Sequence, residues 1–491
     1  MKKPASVLPV FTALVFALAA ESVTATELQE PSCFKPNIVI IYADDLGYGD
    51  VGCYGATMIK TPNIDKLATQ GMKFTDAHAA GSLCSPSRYG ILTGRSPWRL
   101  NKKGNGYRLD PDQVNLASFL KTQGYHSAAI GKWHLGYSKD WNELPITGPL
   151  ERGFDYHFGV PSNHNDSTRA FIENHDLVGR TPGVPFKIVK GQDFPDGLSE
   201  PRQEDQVDTV LTGKVVDFIR ENANSPFFVY FTPCAPHTHV TPAAKFRGTS
   251  EAGTFGDHVQ ELDSHVGTIM KTLEELKLVD NTILIFASDN GGNPKDFKGT
   301  SNVNLNLASE VGNIRKTFKT ARIDARKLGH YVNGPWRDGK GRPYEGGHRV
   351  PLIVRWPGHV EPNTTSDYLL NLTDMLATFA DVTGGELPDE AGEDSISMLP
   401  VLLGEEPTVK REAVFILGDG KNNAVAVCTG QWKLIDYKQT GKHELFDLTN
   451  DRGETTDVAS EHPDIVKRLA AALEKAREEG RTRPLPSPVG S

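Results

Sequence analysis

Short, continuous apolar runs punctuate the chain. Asn37 to Ala43 (NIVIIYA), Phe227 to Thr232 (FFVYFT) and Thr282 to Ala287 (TILIFA) show no polar alternation, which marks strands buried on both faces. His126 to Ile130 reads as a further strand. Between these runs the spacing becomes helical. Thr61-Pro62 introduces a helix over Ile64 to Met72, because proline is tolerated in a first turn. Leu116 to Gln123 reads as a helix stopped by Gly124. Val207 to Asn222, the long amphipathic stretch His258 to Leu276, and Asp367 to Thr383 complete the helical set. Strands alternating with helices predict an α/β fold around a mostly parallel sheet. A polar, proline-containing stretch, Gly404 to Thr408, marks a domain boundary. Beyond it, Ala413 to Leu417, Ala424 to Cys428 and Trp432 to Tyr437 predict a small antiparallel sheet, and Pro463 to Glu479 a final helix.

The N-terminus carries an export pattern: Lys2 and Lys3, an apolar run from Val7 to Ala20, then small residues around Val23-Thr24-Ala25. The expected organisation is a signal peptide over residues 1–25, a catalytic domain over 26–408 and a C-terminal subdomain over 409–491. The apolar run is short for a membrane span, so the mature protein is expected to be periplasmic or secreted and not membrane-spanning. A net charge of −9 argues against a nucleic-acid partner, which wants a basic face. It leaves room for an anionic small substrate, since a pocket can be positive on an acidic protein. The five cysteines, Cys33, Cys53, Cys84, Cys234 and Cys428, are odd in number, so at least one is left over or chemically altered.

Polar residues cluster just past the strand runs. Asp44-Asp45 follow the first, Lys132 and His134 the second, His237 the third, and Asp289-Asn290 the fourth. In open α/β sheets the carboxyl ends of the strands form the ligand crevice. Each residue taken singly is equally a turn or surface residue, and Asp-Asn-Gly-Gly is an ordinary turn sequence. Taken together they form a site. Asp44, Asp45, Asp289 and Asn290 offer oxygen ligands, which suit calcium or magnesium, and no His or Cys spacing typical of zinc is found. Arg88, Lys132, His134, His237 and Lys340 form a cationic or protonatable set. Lys340 lies in a glycine-rich loop, Asp338 to Gly347. Metal and cations together suit transfer of a tetrahedral oxyanion, sulfuryl or phosphoryl.

Within Leu83 to Arg95 (LCSPSRYGILTGR), Cys84, Pro86 and Arg88 stand in a Cys-x-Pro-x-Arg arrangement followed by Leu92-Thr93-Gly94-Arg95. This resembles the signature of type I, formylglycine-dependent sulfatases, arylsulfatase-like members of the alkaline phosphatase superfamily. The resemblance runs along most of the chain: Asp44 to Gly49 (DDLGYG), Thr61 to Asp65, Gly131 to Gly136 (GKWHLG), Pro236-His237, Ser288 to Gly292, Tyr344 to Pro351, Glu444 to Leu448 and Gly453 to Thr456. It implies an alkaline-phosphatase-like central sheet sandwiched by helices, with a smaller C-terminal domain containing an antiparallel sheet and a helix. It also implies that Cys84 is oxidised by a formylglycine-generating enzyme to an aldehyde, present in water as its hydrate. One hydrate hydroxyl attacks sulfur and the alcohol leaves; the remaining hydroxyl expels sulfate. A serine ester would instead require hydrolysis.

By position, the resemblance implies that Asp44, Asp45, Asp289 and Asn290 bind calcium with modified residue 84, and that Arg88 steadies the hydrate. Lys132 and Lys340 would hold sulfate oxygens, His237 would protonate the leaving oxygen, and His134 would help deprotonate the hydrate. His239, where many relatives have proline, receives no role. The expected function is hydrolysis of sulfate esters on a sulfated carbohydrate. A phosphonate or phosphate-ester hydrolase of the same superfamily is the alternative, and a catalytically dead glycan-binding protein a third reading opposed by the filled catalytic positions. Two stretches depart from the shared motifs. Asn293 to Trp336 is an insert with an expected basic helix around Glu310 to Leu328. In Ser162 to Val178, Asn163, His164, Asn165, Asp166 and Arg169 suit sugar hydroxyls as well as they suit an ordinary polar loop.

Overall fold

The computed structural model describes residue 1 and residues 35–485, except 101, 103–105, 139, 167, 182, 184–201, 294–324 and 420–423. The apolar runs of the sequence form the centre of a large sheet. Strand β1 (Asn37–Ala43) lies between β8 (Phe227–Thr232) and β9 (Thr282–Ser288), and β4 (His126–Lys132) flanks β8 on its other side; all these pairings are parallel. Strands β2 (Met72–Phe74), β5 (Tyr156–Val160), β6 (Ile172–Glu173), β7 (Asp176–Leu177), β10 (Leu352–Arg355) and β11 (Thr364–Ser366) extend it to ten, in the order β11-β2-β10-β9-β1-β8-β4-β5-β6-β7. Strands β3 (Ala77–His78) and β12 (Leu370–Asn371) pair separately in parallel.

Alternation along β1 shows why its run had to be continuous. Ile38, Ile40 and Tyr42 enter one core with helices α2 (Cys84–Thr93) and α3 (Leu116–Thr122) and the Met375–Thr383 helix. Val39, Ile41 and Ala43 enter the opposite core with α1 (Pro62–Thr69), α4 (Val207–Glu221) and α5 (Gly253–Glu275). Both faces are therefore dry, and a charge anywhere along the run would be stranded in apolar surroundings.

The C-terminal sheet is antiparallel, β13 (Val414–Asp419), β14 (Ala424–Cys428), β15 (Trp432–Tyr437) and β16 (Lys442–Asp447). Leu469, Leu473 and Ala476 of the Pro463–Glu478 helix cover one face against Phe415, Val427 and Leu434. Each fully buried leucine there contributes about 1.5–3 kcal/mol. From Lys35 onward the described residues form one compact unit. The seam is stitched by backbone: Ser82 N donates to Leu417 O at 2.9 Å and Gly341 N to Ser82 O at 2.7 Å, so β13 braces the segment that leads into Cys84.

Three sequence expectations need correction. The first helix ends at Thr69, and Met72–Phe74 is a strand instead, because those residues find antiparallel partners in β10. Asp367 to Thr383 is not one helix. Leu370 and Asn371 pair with β3, and the Asn371 side chain then accepts from Thr373 N, so the α-helix begins only at Met375. A fourth C-terminal strand, β16, was not anticipated. Of the insert helix expected around Glu310 to Leu328, only residues 325–328 lie among the described residues. The expected signal peptide and Cys33 lie outside them, while Cys53, Cys84, Cys234 and Cys428 are free thiols. Among the described residues no helix is long and apolar enough to cross a membrane.

Candidate active site

The four adjacent strands β9, β1, β8 and β4 deliver their polar residues to one edge, as parallel neighbours must. Asp44 and Asp45 leave β1 in a tight turn, with Asp45 at φ 63°, a left-handed conformation tolerated best by glycine, asparagine and aspartate. A backbone bond from Asp289 N to Ala43 O at 3.0 Å, and one from Asp45 N to the Asp289 side chain at Oδ1, 3.1 Å, lock the β1 and β9 ends together. Gly291 is obligatory here: a Cβ would lie 1.8 Å from Gly346 O.

Cys84 opens α2, fully buried, with Sγ 3.4 Å from Asp44 Oδ1 and 3.7 Å from Asp45 Oδ1. One turn later Arg88 donates to Asp289 Oδ2 from both Nε (3.1 Å) and Nη2 (2.8 Å), and to Lys132 O from Nη1 at 3.0 Å. Spacing four residues apart puts Cys84 and Arg88 on one helix face. Lys132, the last residue of β4, donates to Asp44 Oδ2 at 2.8 Å. Lys340 reaches in from its loop to Asp45 Oδ1 at 2.5 Å and Cys84 Sγ at 3.0 Å. His237 Nε2 stands 3.8 Å from Asp45 Oδ2. Its Nδ1 is 2.5 Å from Thr238 O, and a carbonyl only accepts, so the proton sits on Nδ1 and Nε2 presents a lone pair. His134, at φ 59°, has a buried Nδ1 with no hydrogen-bond partner.

The charges sort themselves physically. Burial alone would raise Asp44, but Lys132, His237, Arg88 and Lys340 hold it well below the usual carboxylate range. Asp289 is pushed up to about 6 by burial and by Asp44. Burial depresses His134 well below its usual range, aided by Lys132 and Arg88, and takes His237 down to about 3, with Lys340 adding to the effect. Both imidazoles are neutral at pH 7. Burial and the neighbouring Asp289 carboxylate raise the Cys84 thiol, so it is not a thiolate.

A cation fits this place. Ligand atoms of Asp44, Asp45, Cys84 and His237 converge within 4.8 Å of one another. Asn290 donates from Nδ2 to Asp45 Oδ1 at 2.9 Å, and its Oδ1 is buried without a hydrogen-bond partner. An orphaned buried amide oxygen beside three carboxylates is what an oxygen-ligated hard cation would satisfy.

Two positioning residues received no role from the sequence. Ser288 Oγ accepts from Leu46 N at 3.1 Å. Asn333 Oδ1 accepts from Gly292 N at 2.8 Å, while its Nδ2 donates to Gly292 O at 3.0 Å and Asp338 O at 2.7 Å, tying the Asp289-Asn290 turn to the Lys340 loop. Ser288 stands inside the Ser288 to Gly292 motif, whereas Asn333 is a small polar residue with no distinguishing spacing. Asp166 and Arg169 are occupied by Arg202 and Glu204, so they brace their loop. Asn165 and His164 instead contact His239, through Nδ1 at 2.7 Å and its carbonyl at 2.6 Å.

With this geometry in view, comparison with known proteins is direct. Residues 36–385 match the Sulfatase family, and residues 336–479 match the family described as N-sulphoglucosamine sulphohydrolase, C-terminal. An N-acetylgalactosamine-6-O-sulfatase from Bacteroides thetaiotaomicron is 34% identical over 90% of this chain and 93% of its own. Human arylsulfatase A is 30% identical over 88% and 86%. A solved 6S-sulfatase structure from work on glycosaminoglycan metabolism by Bacteroides thetaiotaomicron superposes with a TM-score of 0.79 at 33% identity, over 90% of this chain and 99% of that one. The chain belongs to the sulfatase family and is a sulfuric ester hydrolase with the alkaline-phosphatase-like fold.

Proposed function

We propose that this protein removes sulfate from a sulfated carbohydrate, with a 6-O-sulfated N-acetylhexosamine such as N-acetylgalactosamine as the favoured unit, and that residue 84 acts as a formylglycine. Similarity to two N-acetylgalactosamine-6-sulfatases supports the sugar. The observation that carries the chemistry is the state of position 84. A thiol held neutral among buried carboxylates is a poor nucleophile, so the site suits a modified side chain. The aldehyde hydrate would supply one hydroxyl to attack sulfur and a second to expel sulfate. Calcium, held by Asp44, Asp45, Asp289, Asn290 and residue 84, would supply positive charge for the sulfate oxygens.

The chain's own residues supply the rest. Lys132 and Lys340, both cationic and both within reach of the residue 84 carboxylate shell, hold sulfate oxygens. Arg88 stays fixed on Asp289 and stabilises residue 84. Neutral His134 is suited to take a proton from the hydrate. His237 must gain a proton at Nε2 before giving it to the leaving oxygen, and the arriving sulfate monoanion favours that gain. Export to the periplasm or beyond, and maturation by a formylglycine-generating enzyme, complete the reading.

The test is a matched set: 6-sulfated and 4-sulfated N-acetylgalactosamine, with the corresponding 6-phosphate. The 6-sulfate should be hydrolysed with the highest kcat/KM, activity should vanish on chelation, and calcium should restore it. Preference for the phosphate would favour a phosphate-ester hydrolase; restoration by zinc and not by calcium would contradict the metal assignment.

A further inference from the structure

Away from the catalytic cluster, the seam between the end of α2 and the C-terminal sheet encloses a cavity of about 390 Å³. Arg95, Arg99, Lys102, Lys438 and Arg477 line it beside Trp98, and among the described residues no carboxylate lines it. That concentration of cations stands out on a chain with a net charge of −9.

The walls are built, not incidental. Arg99 forks onto Asp394 at 2.7 and 2.6 Å, donates to Ala476 O at 2.7 Å, and lies over the Trp98 ring at 4.3 Å. Its side chain is only 5% exposed. Arg477 donates to Asp436 at 3.1 Å and also pairs with Glu474, and Arg95 Nε stands 3.3 Å from Glu393. These carboxylates neutralise much of the arginine charge from behind. Lys102 and Lys438 are exposed and have no ion pair among the described residues. One buried donor at its wall, Trp98 Nε1–H, has no hydrogen-bond partner. A buried donor left unmatched costs about 1–3 kcal/mol, so the Trp98 N–H beside this cavity suits a ligand with acceptor oxygens.

We propose that this cavity is a second saccharide-binding site, which takes an anionic unit, bearing a sulfate or carboxylate, of the same polymer whose sulfate ester occupies the catalytic centre. The proposal rests on the carbohydrate reading above. The lysines meet the anionic group, and Trp98 offers its ring edge and N–H to the sugar. Cys84 begins α2 and Arg95 follows its end, which at the helical rise separates the two places by roughly 15 Å. A polymer is long enough to span that separation around the surface; a monosaccharide is not. Holding a distant unit raises the local concentration of the scissile end without touching the chemistry.

The double variant Lys102→Glu/Lys438→Glu tests this. Its kcat/KM on an aryl sulfate and on monosaccharide 6-sulfate should stay within about twofold of the parent, while KM on a sulfated galactosaminoglycan polymer rises about tenfold with kcat unchanged. Trp98→Phe, which deletes one donor and keeps the ring packing, should weaken polymer binding about threefold. In affinity electrophoresis with the polymer in chelator, the parent and Lys340→Ala should both be retarded and the double variant should not. Unchanged retardation and KM in the double variant would overturn the proposal, as would equal losses on small and polymeric substrates. Displacement of the polymer by inorganic sulfate at equal sulfate concentration would reduce the cavity to a simple anion site and also overturn it. If the parent hydrolyses no carbohydrate sulfate, the substrate reading falls, yet electrophoresis still decides the cavity.

Discussion

Two buried clusters in this molecule bring histidines and carboxylates within ligand distance, and they are built to opposite ends. One is the catalytic group of Asp44, Asp45, Cys84 and His237; the other is His78, Glu345 and His348. In the second, every ring nitrogen is spoken for. His78 Nδ1 meets His348 Nδ1 at 2.9 Å and its Nε2 meets Asp76 at 2.8 Å, while His348 Nε2 meets Lys433 Nζ at 3.0 Å. Lys433, fully buried on β15, also pairs with Glu345 at 3.0 Å and Glu454 at 2.8 Å. Arg349 closes the group onto Asp76 and Glu345. The ammonium already occupies the place a metal would need. In the catalytic cluster Asn290 Oδ1 and His134 Nδ1 are buried without partners, and His237 Nε2 is beyond hydrogen-bond distance of Asp45. Convergence of ligand types is thus not enough to mark a site. Unsatisfied polar atoms mark it, because a closed network has nothing left to offer a ligand.

The comparison breaks first at the metal turn. Asp289→Ala should lower kcat on the order of 10³-fold or more and abolish calcium binding measured by calorimetry, because it removes a proposed ligand and the Arg88 anchor together. Retained calcium binding would show that the carboxylate is not a ligand. On the closed side, Lys433→Met should cost about 3–5 kcal/mol in urea denaturation, since it strands two buried glutamates and breaks the join between the sheets. A loss under 1 kcal/mol would mean the network is dispensable.

A subtler contrast lies inside the open cluster. His237→Ala should lose about 10²–10⁴-fold on a sugar sulfate and much less on an activated aryl sulfate, whose phenolate leaves unaided. Lys340→Ala, which would remove the proposed contact to sulfate oxygens common to all substrates, should lose similarly on both. Equal substrate dependence for the two variants, read as changes in transition-state free energy, would remove His237 from the acid role.

The smallest effect concerns pH. His157 is another closed histidine, bonded to Ala129 O and Tyr137 Oη at 2.7 Å each, and burial takes it down to about 4 from 6.5. A histidine depressed in the folded state favours folding while it is neutral in both states. That stability is present above pH 6.5 and drains away as pH falls toward 4, because the unfolded chain binds the proton first. Roughly 3 kcal/mol should be lost across the window from this group. Denaturant midpoints at pH 7 and pH 4.5 should show the fall, and His157→Gln should flatten it.

Much of the open cluster was legible in the sequence. Continuous apolar runs fixed which strands are central, and polar residues directly after them fell at the carboxyl edge because neighbouring parallel strands end together. Cys84 and Arg88 stood out as a motif, but the helix that puts them on one face was not anticipated. The closed cluster was not legible, although Tyr344 to Pro351 was noticed as a motif. Lys433 sits in WKLIDY, where a lysine reads as solvent-facing; its burial depends on Glu345, 88 residues away, and on Glu454. Short strands such as β2, β3 and β12 were missed for the same reason. Two or three residues carry no periodicity, and only their partners make them strands. Trp98 and Arg99 likewise show nothing in sequence until Asp394 and the C-terminal helix enclose them.

The central claim is that the open cluster works on a residue 84 that is no longer a thiol. Its most direct test is the mass of the peptide spanning Leu83 to Arg88, measured on protein produced with and without a formylglycine-generating enzyme and compared with kcat on the sugar 6-sulfate. The account predicts that the fraction of aldehyde at position 84 and kcat rise in proportion, with thiol-bearing protein folded and inactive. Full activity from protein whose residue 84 is entirely cysteine would contradict it.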